Sequence, residues 1–77
     1  MMIARELETV VLACDFPERG LRDGDIGTVV MVHESGAGYE VEFVTLDGET
    51  LAVVTLSADQ VRPVARRQIA HARTVAG

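Results

Sequence analysis

The sequence predicts an all-β fold in which five short antiparallel strands form a small, closed or nearly closed barrel. Twelve of the 77 residues are valine, and most of them stand in short runs. Side chains that branch at Cβ fit a pleated, half-buried surface better than a helix, so these runs indicate strands. Glycines divide the first 64 residues, each beside a polar or acidic residue typical of turns. A chain of this length forms one small domain with a thin core.

The first two strands are predicted at residues 9–14 and 27–33. The connection between them is polar except for Phe16 and Leu21, which we expect to pack against the core. A turn at residues 23–25, with a glycine between two aspartates, leads into the second strand.

The third strand, residues 39–43, has the clearest pattern in the chain. Three apolar side chains alternate with Glu40 and Glu42, which is the two-residue period of a strand with one buried and one wet face. A glycine-rich hairpin loop at residues 34–38 precedes this strand, because glycines permit the positive φ that such loops need. The Asp-Gly pair at residues 47–48 follows it and is a strong hairpin signal.

The fourth strand, residues 50–56, is predicted to be apolar on both faces, since only Thr50 and Thr55 are polar. One face fills the barrel, and the other, at Ala52 and Val54, needs cover. The tail of the chain, or the curl of a small barrel, is one candidate for that cover. An oligomer or partner interface is the other.

The end of the domain completes the predicted architecture. One helical turn at residues 57–60 leads into the last strand at 61–64, where Pro63 suits an edge or a strand end. A meander with a long first connection and a one-turn helix before the last strand is the order of an SH3-like barrel. A small open sheet with the tail packed across it is the alternative architecture.

We predict a barrel domain over residues 1–64 and a basic tail over residues 65–77. Small apolar residues of the tail fall near one side of a helix, namely Ala65, Ile69, Ala72 and Ala76. The arginines lie around the other side, which gives a weak amphipathic pattern. A frayed end is the other interpretation, because alanine faces bury little area. The tail is therefore predicted to be helical or disordered.

Several blocks of this sequence, taken in order, resemble a family of short bacterial proteins known only as domain of unknown function 4926. The resemblance extends over about residues 6–64 and excludes the tail. The blocks that carry it are residues 6–12, 17–21, 24–30, 39–43, 47–56 and 61–64. It implies no activity, because the family has no assigned catalytic or binding residues. The block at 24–30 is also similar to the glycine-centred strand of KOW-type and other SH3-like modules.

Charge is distributed unevenly along the chain. The first 64 residues hold all twelve acidic residues and only four arginines, a net charge of −8, whereas the tail holds Arg66, Arg67 and Arg73 and no acid. Nucleic-acid affinity comes mainly from neutralising phosphates with basic side chains, so the acidic body disfavours nucleic acid as a partner.

The sequence indicates no site for catalysis or for a metal. Cys14 is the only cysteine, so neither an intramolecular disulfide nor a thiolate metal cluster can form, and we expect it to be half-buried. His33 is expected at the surface. Asp23 and Asp25 flank a glycine and are expected to form a turn rather than an acid–base pair. A barrel this small has no room for a closed ligand pocket. We therefore expect a non-enzyme without cofactor, metal or small-molecule substrate.

The chain is expected to be cytoplasmic and to make no membrane contact. Its N-terminus becomes acidic before any apolar stretch long enough for a signal-peptide core, and no run of about 18 apolar residues occurs.

The remaining features favour a protein-protein interaction module that acts with a protein partner or as a homodimer. Its predicted surface combines the outer face of strand four (Ala52, Val54), an acidic rim (Glu40, Glu42) and the arginines of the tail (Arg66, Arg67, Arg73). One alternative is a small antidote-type regulator, such as an antitoxin or immunity protein, of a neighbouring gene product. A third hypothesis is weak nucleic-acid binding through the arginine tail.

Overall fold

The computed structural model describes residues 5–33 and 37–75. The five strands are β1 (Thr9–Leu12), β2 (Ile26–His33), β3 (Gly38–Val44), β4 (Thr50–Ser57) and β5 (Val61–Pro63). A 3-10 turn at Pro17–Arg19 lies between β1 and β2, and a second at Ala58–Gln60 lies between β4 and β5. Most of the predicted loop at 34–38, namely residues 34–36, lies outside the described residues.

The strands form one antiparallel sheet in the order β4-β3-β2-β1-β5, which confirms the predicted all-β, five-stranded class. Within residues 5–33 and 37–75 the sheet is not closed, because β4 and β5 are its two edges and no hydrogen-bonded ladder joins them. The open sheet was the alternative architecture. The strand sequence and the one-turn helix before β5 agree with an SH3-like arrangement.

A hydrophobic core cluster contains residues from all five strands. It contains Val10, Leu12, Leu21, Val29, Tyr39, Val41, Phe43, Ala52, Val54, Leu56 and Val61. Since Leu56 on one edge strand and Val61 on the other belong to the same cluster, the sheet must curl to enclose them. Phe16 packs against this cluster and Leu21 is buried within it, as predicted for the first connection.

Gly27 in β2 is required by a close approach of two strands. A Cβ atom at this position would lie 2.5 Å from Val41 Cγ1 and 2.9 Å from Phe43 Cε1. Neither distance is sterically possible, so the side chains of Val41 and Phe43 can pack this closely over β2 only with glycine here. This part of the core thus depends on a residue that the sequence predicts as the start of a strand.

The prediction that Ala52 and Val54 form the outer face of β4 is wrong. Burial alternates strictly along the strand, with Ala52, Val54 and Leu56 buried and Val53 and Thr55 exposed. Direct pairing explains the pattern, because Phe43 and Val41 of β3 lie opposite Ala52 and Val54. Residues opposite each other in an antiparallel pair share a face, so the buried face of β3 determines the buried face of β4.

The C-terminal segment, residues 64–75, is not helical. The chain turns at residues 66–67, where Arg67 has a φ of +63°, and then continues without regular structure. The Gln68 side-chain oxygen closes this turn by accepting a hydrogen bond from the Ala65 N–H at 2.7 Å and one from Arg62 Nη1 at 3.1 Å. Because the chain turns at Arg67, no helix forms over residues 64–75, and the small apolar residues in this range do not share a helical face.

Candidate interaction surface

The two edges of the sheet are built differently, and the β5 edge is the protected one. β5 has three residues and ends at Pro63, which has no N–H to donate. Arg62 places a charged side chain on the same strand. Short length, proline and charge are the features by which natural sheets prevent a foreign strand from pairing with their edges.

The β4 edge has none of these features. β4 is eight residues long and contains no charged residue and no proline. It pairs with β3 on one side, and among the described residues no strand pairs with it on the other. We call the side of Thr50–Ser57 that faces away from β3 the free edge. Alternate backbone N–H and C=O groups of an edge strand point outward, where another chain can bind them.

The outward surface of β2, β3 and β4 lies beside the free edge, and we call it the open face. Its apolar side chains are about half exposed: Val30 (38%), Met31 (49%), Val44 (52%) and Val53 (44%). Its polar members are Thr28, Glu40, Glu42 and Thr55. The open face therefore combines four exposed apolar side chains with two carboxylates, whereas a sheet face that only contacts water is mainly polar.

The two glutamates of the open face are held by their neighbours across the strands. The Glu40 carboxylate accepts a hydrogen bond from Thr55 Oγ1 at 2.7 Å, and His33 Nε2 lies 2.7 Å from the same oxygen. The hydrogen bond with His33, followed by that from Thr55, lowers the pKa of Glu40 below its usual value. Glu42 accepts a hydrogen bond from Thr50 Oγ1 at 2.9 Å. Both carboxylates therefore have fixed positions beside β4.

The C-terminal segment is attached to the opposite side of the molecule by Arg73. Its Nε and Nη2 donate to the two carboxylate oxygens of Asp25 at 2.9 and 2.5 Å, and Nη2 also donates to the Gly20 carbonyl at 2.9 Å. Two parallel hydrogen bonds match the planar guanidinium to the carboxylate. Val75 extends the contact, since its Cγ1 lies 3.8 Å from where a Gly20 side chain would begin.

Asp25 binds Arg73 in this contact, and the pKa of Asp25 depends on the opposing effects of burial and of its hydrogen bonds. Burial raises the pKa of the Asp25 carboxyl, but hydrogen bonds from Arg73 and from the Arg22 backbone, together with both positive charges, lower it by more. The pKa therefore lies below the ordinary value of 3.8. The hydrogen bond with Asp25 likewise raises the pKa of Arg73. Asp25 also forms the predicted turn, with Oδ2 accepting the Arg22 N–H at 2.8 Å.

The same segment covers the outward surface of β1. Val11 alternates with the core residues Val10 and Leu12 and so points to the other face, yet it is only 5% exposed. It lines a shallow groove of about 240 Å³ together with residues 68–70 of the C-terminal segment and Ile26. The C-terminal segment thus covers Val11, whereas Ile26, Val64 and Ile69 on the same side remain 43%, 50% and 91% exposed.

The residues predicted for the interaction surface fall into three groups. Ala52 and Val54 are 5% and 4% exposed and belong to the core, so they cannot form the predicted outer surface. The acidic rim of Glu40 and Glu42 does lie on the open face. The three arginines of the tail lie elsewhere, in the segment that follows β5.

Those three arginines also divide between two environments. Arg66 and Arg67 are exposed at the turn, whereas Arg73 is bound to Asp25. Val53 and Thr55, which replace Ala52 and Val54 on the exposed side, were missed by sequence reasoning. Counting residues symmetrically about the Asp-Gly turn places Ala52 opposite Phe43 and so identifies them.

Other chemical features of the described chain are sparse. No cluster of three or more histidine, cysteine or acidic side chains that could hold a metal ion lies within residues 5–33 and 37–75. Cys14 is half-buried beside the core, as predicted. Over the same described ranges, no helix is long and apolar enough to cross a membrane.

Comparison with known proteins gives a match to a family model. A family model described as "Domain of unknown function (DUF4926)" matches residues 6–63. The match spans all five strands and ends at the last residue of β5, so it excludes the C-terminal segment. It confirms the resemblance read from the sequence. No curated protein and no solved structure matches the chain significantly.

Proposed function

The chain belongs to the DUF4926 family, a domain of unknown function, and we propose that it is a non-catalytic module that binds protein by adding a strand to the free edge of β4. In this mode the backbone of a partner strand completes the hydrogen bonds of the edge, and the side chains on either side determine specificity. The observation that carries the proposal is the contrast between an eight-residue edge strand without charge or proline and a short, proline-terminated one.

The open face supplies side-chain contacts next to the added strand. Val53 points outward from the edge strand itself, and Glu42 lies directly opposite it on β3. A partner strand would therefore contact the apolar side chain of Val53 on β4, and the carboxylates of Glu40 and Glu42 would lie on the next strand, β3. Mixed apolar and polar composition is usual for interfaces between proteins that also exist alone.

The alternatives differ in how they fit this surface. A small antidote-type regulator, such as an antitoxin, is a special case of the same proposal, in which the neighbouring gene encodes the partner. Nucleic-acid binding through the tail gains no support, because Arg73 is bound to Asp25 and only Arg66 and Arg67 of the tail are exposed at the turn to neutralise phosphates.

The test compares two exposed valines of the open face. Val53→Lys places a charge on the edge strand, where charge prevents strand addition. Val44→Lys makes the same change on β3, which is an inner strand of the sheet. Both side chains are about half exposed, so neither variant should affect folding. The tagged protein is isolated from its native cells, and bound protein and molecular mass are measured.

We expect the wild type and Val44→Lys to retain a stoichiometric complex, either with another protein or between copies, and Val53→Lys to lose it. A wild-type protein that sediments as a monomer at high concentration, and that brings no protein with it, would overturn the proposal. Equal loss in both lysine variants would assign binding to the open face rather than to the edge.

A further inference from the structure

We infer that the strand added to the free edge is β4 of a second copy, paired antiparallel about a two-fold axis at Val53. This inference rests on the proposed strand addition and names its partner. The sequence of β4 is compatible with itself in that arrangement, because no residue from 50 to 57 brings a charge or a proline to the shared ladder.

The faces of the sheet restrict the register. Residues opposite each other in an antiparallel pair share a face, so the buried Ala52, Val54 and Leu56 must lie opposite residues of even number in the other copy. A symmetric pairing must then be centred on a residue, not between two. Pairing about Val53 places Leu51 opposite Thr55 of the second copy and Ala52 opposite Val54.

Overlap and charge favour Val53 as the centre. Pairing about Ala52 leaves the end of β4 unpaired, whereas Val53 and Val54 each align seven residues of the strand. Centring on Val54 sets Glu49, which directly precedes β4, opposite Asp59 of the second copy, and these are like charges.

Centring on Val53 instead sets Glu49 opposite Ser57 of the second copy and brings two exposed valines together at the axis. The like-charged pair that remains, Asp47 with Asp59, then lies one residue further from the axis, in the hairpin turn and the 3-10 turn beyond the ladder. This register therefore combines the full overlap with the weaker repulsion.

The acidic character of the chain gives the dimer a distinctive response to salt. Each copy has a net charge of −5, so two copies repel each other through solvent while the uncharged edges pair. Added salt screens that repulsion. Self-association should therefore strengthen several-fold between about 0.05 and 0.5 M salt, whereas binding to a basic protein or to nucleic acid would follow the opposite trend.

Single-cysteine cross-linking tests the register. In a Cys14→Ala background, Val53→Cys and Thr55→Cys each introduce one exposed thiol on the same face of the same strand. With the axis at Val53, the two thiols introduced at position 53 are direct cross-strand neighbours, about 5 Å apart at Cβ. The two introduced at position 55 are separated by four residues along the ladder, about 13 Å. Mild oxidation is followed by non-reducing electrophoresis.

We expect the Val53→Cys variant to form disulfide-linked dimers much faster than the Thr55→Cys variant. Faster linkage through position 55, or no difference, would overturn the register. Sedimentation of the unsubstituted chain across the salt series needs no variant: a monomer throughout overturns the self-pairing. If the Val53→Lys variant nevertheless loses a complex that wild type and Val44→Lys keep in native cells, the proposed strand addition stands without this partner.

Discussion

The β5 edge and the β4 edge of the same sheet differ in how well they are protected from pairing with another strand. At β5 the strand is three residues long and ends in proline, and the chain that follows returns across β1 and is bound at Asp25. At β4 the strand is eight residues long and its outward-facing Val53 is 44% exposed, while Met31 on β2 of the same open face is 49% exposed. An edge strand invites pairing unless it is shortened, charged or covered. The chain protects one edge and leaves the other available.

The largest expected effect is on the stability of the sheet that carries both edges. Gly27→Ala inserts a methyl group where Val41 and Phe43 leave no space, and we expect a loss of about 3 kcal/mol of unfolding free energy. Gly38→Ala is the matched control, because its added Cβ would lie 3.4 Å from the Leu56 carbonyl oxygen, at the limit of ordinary contact. Denaturant unfolding of both variants measures the difference. Equal stability would contradict the close approach.

The next prediction sharpens the description of β4. Val54→Ala removes buried methyl groups and should lower the unfolding free energy by about 2 kcal/mol. Val53→Ala, one residue earlier, should change it by less than about 0.5 kcal/mol, because its side chain is exposed. Thermal or denaturant unfolding at low protein concentration avoids any contribution from dimers. Equal losses at both positions would contradict the assignment of Val54 to the core and Val53 to the exposed face.

A smaller effect concerns the cover on the β1–β5 side. Arg73→Ala removes the hydrogen bonds to Asp25 and Gly20, and a partly exposed ion pair is worth no more than about 1 kcal/mol after solvent screening. The local effect should be clearer: backbone NMR relaxation should show larger fast motions of residues 68–75, while that of β3 stays unchanged. Arg67→Ala is the control, because its exposed side chain lies at the turn. Unchanged relaxation in the Arg73 variant would show that the segment is held by other contacts.

The smallest effect is the pH dependence of the same contact. The pKa of Asp25 is lowered in the folded chain, so its stabilising contribution is complete above the ordinary value of 3.8 and is lost as pH falls through the folded value. The stability difference between wild type and Arg73→Ala should therefore be constant near neutral pH and shrink below about pH 4. Unfolding measured from about pH 7 to about pH 3 tests this. A difference that grows in acid would have the wrong sign.

Much of the fold could be read from local pattern. The alternation around Glu40 and Glu42, the Asp-Gly turn and Pro63 lead to β3, the β3–β4 hairpin and the short edge strand, which the structure contains at nearly those positions. The first strand ends earlier than predicted, at Leu12, because Gln60, which accepts the Ala13 N–H in register with the β1–β5 pairs, already belongs to the 3-10 turn. The length of a strand can therefore depend on where its distant partner ends, which has no local signature.

The candidate surface was less predictable than the fold. Ala52 and Val54 were assigned to the outer face because β4 has too many apolar residues to reveal a two-residue period by itself. The pattern of β3, transferred through the hairpin, resolves the ambiguity, since Phe43 lies opposite Ala52. Information about a strand's faces can therefore lie in its partner rather than in its own sequence.

By itself, the sequence determined the all-β class, the five strands, the wet face of β3 and the division into an acidic body and a basic end. These follow from alternation, turn chemistry and composition, which act between residues close in the chain. Only the tertiary structure decided that the sheet stays open at β4 and that Arg73 binds Asp25, 48 residues away. Both depend on contacts between residues far apart in the chain, as does the packing of Val41 over Gly27, and no local pattern specifies such contacts.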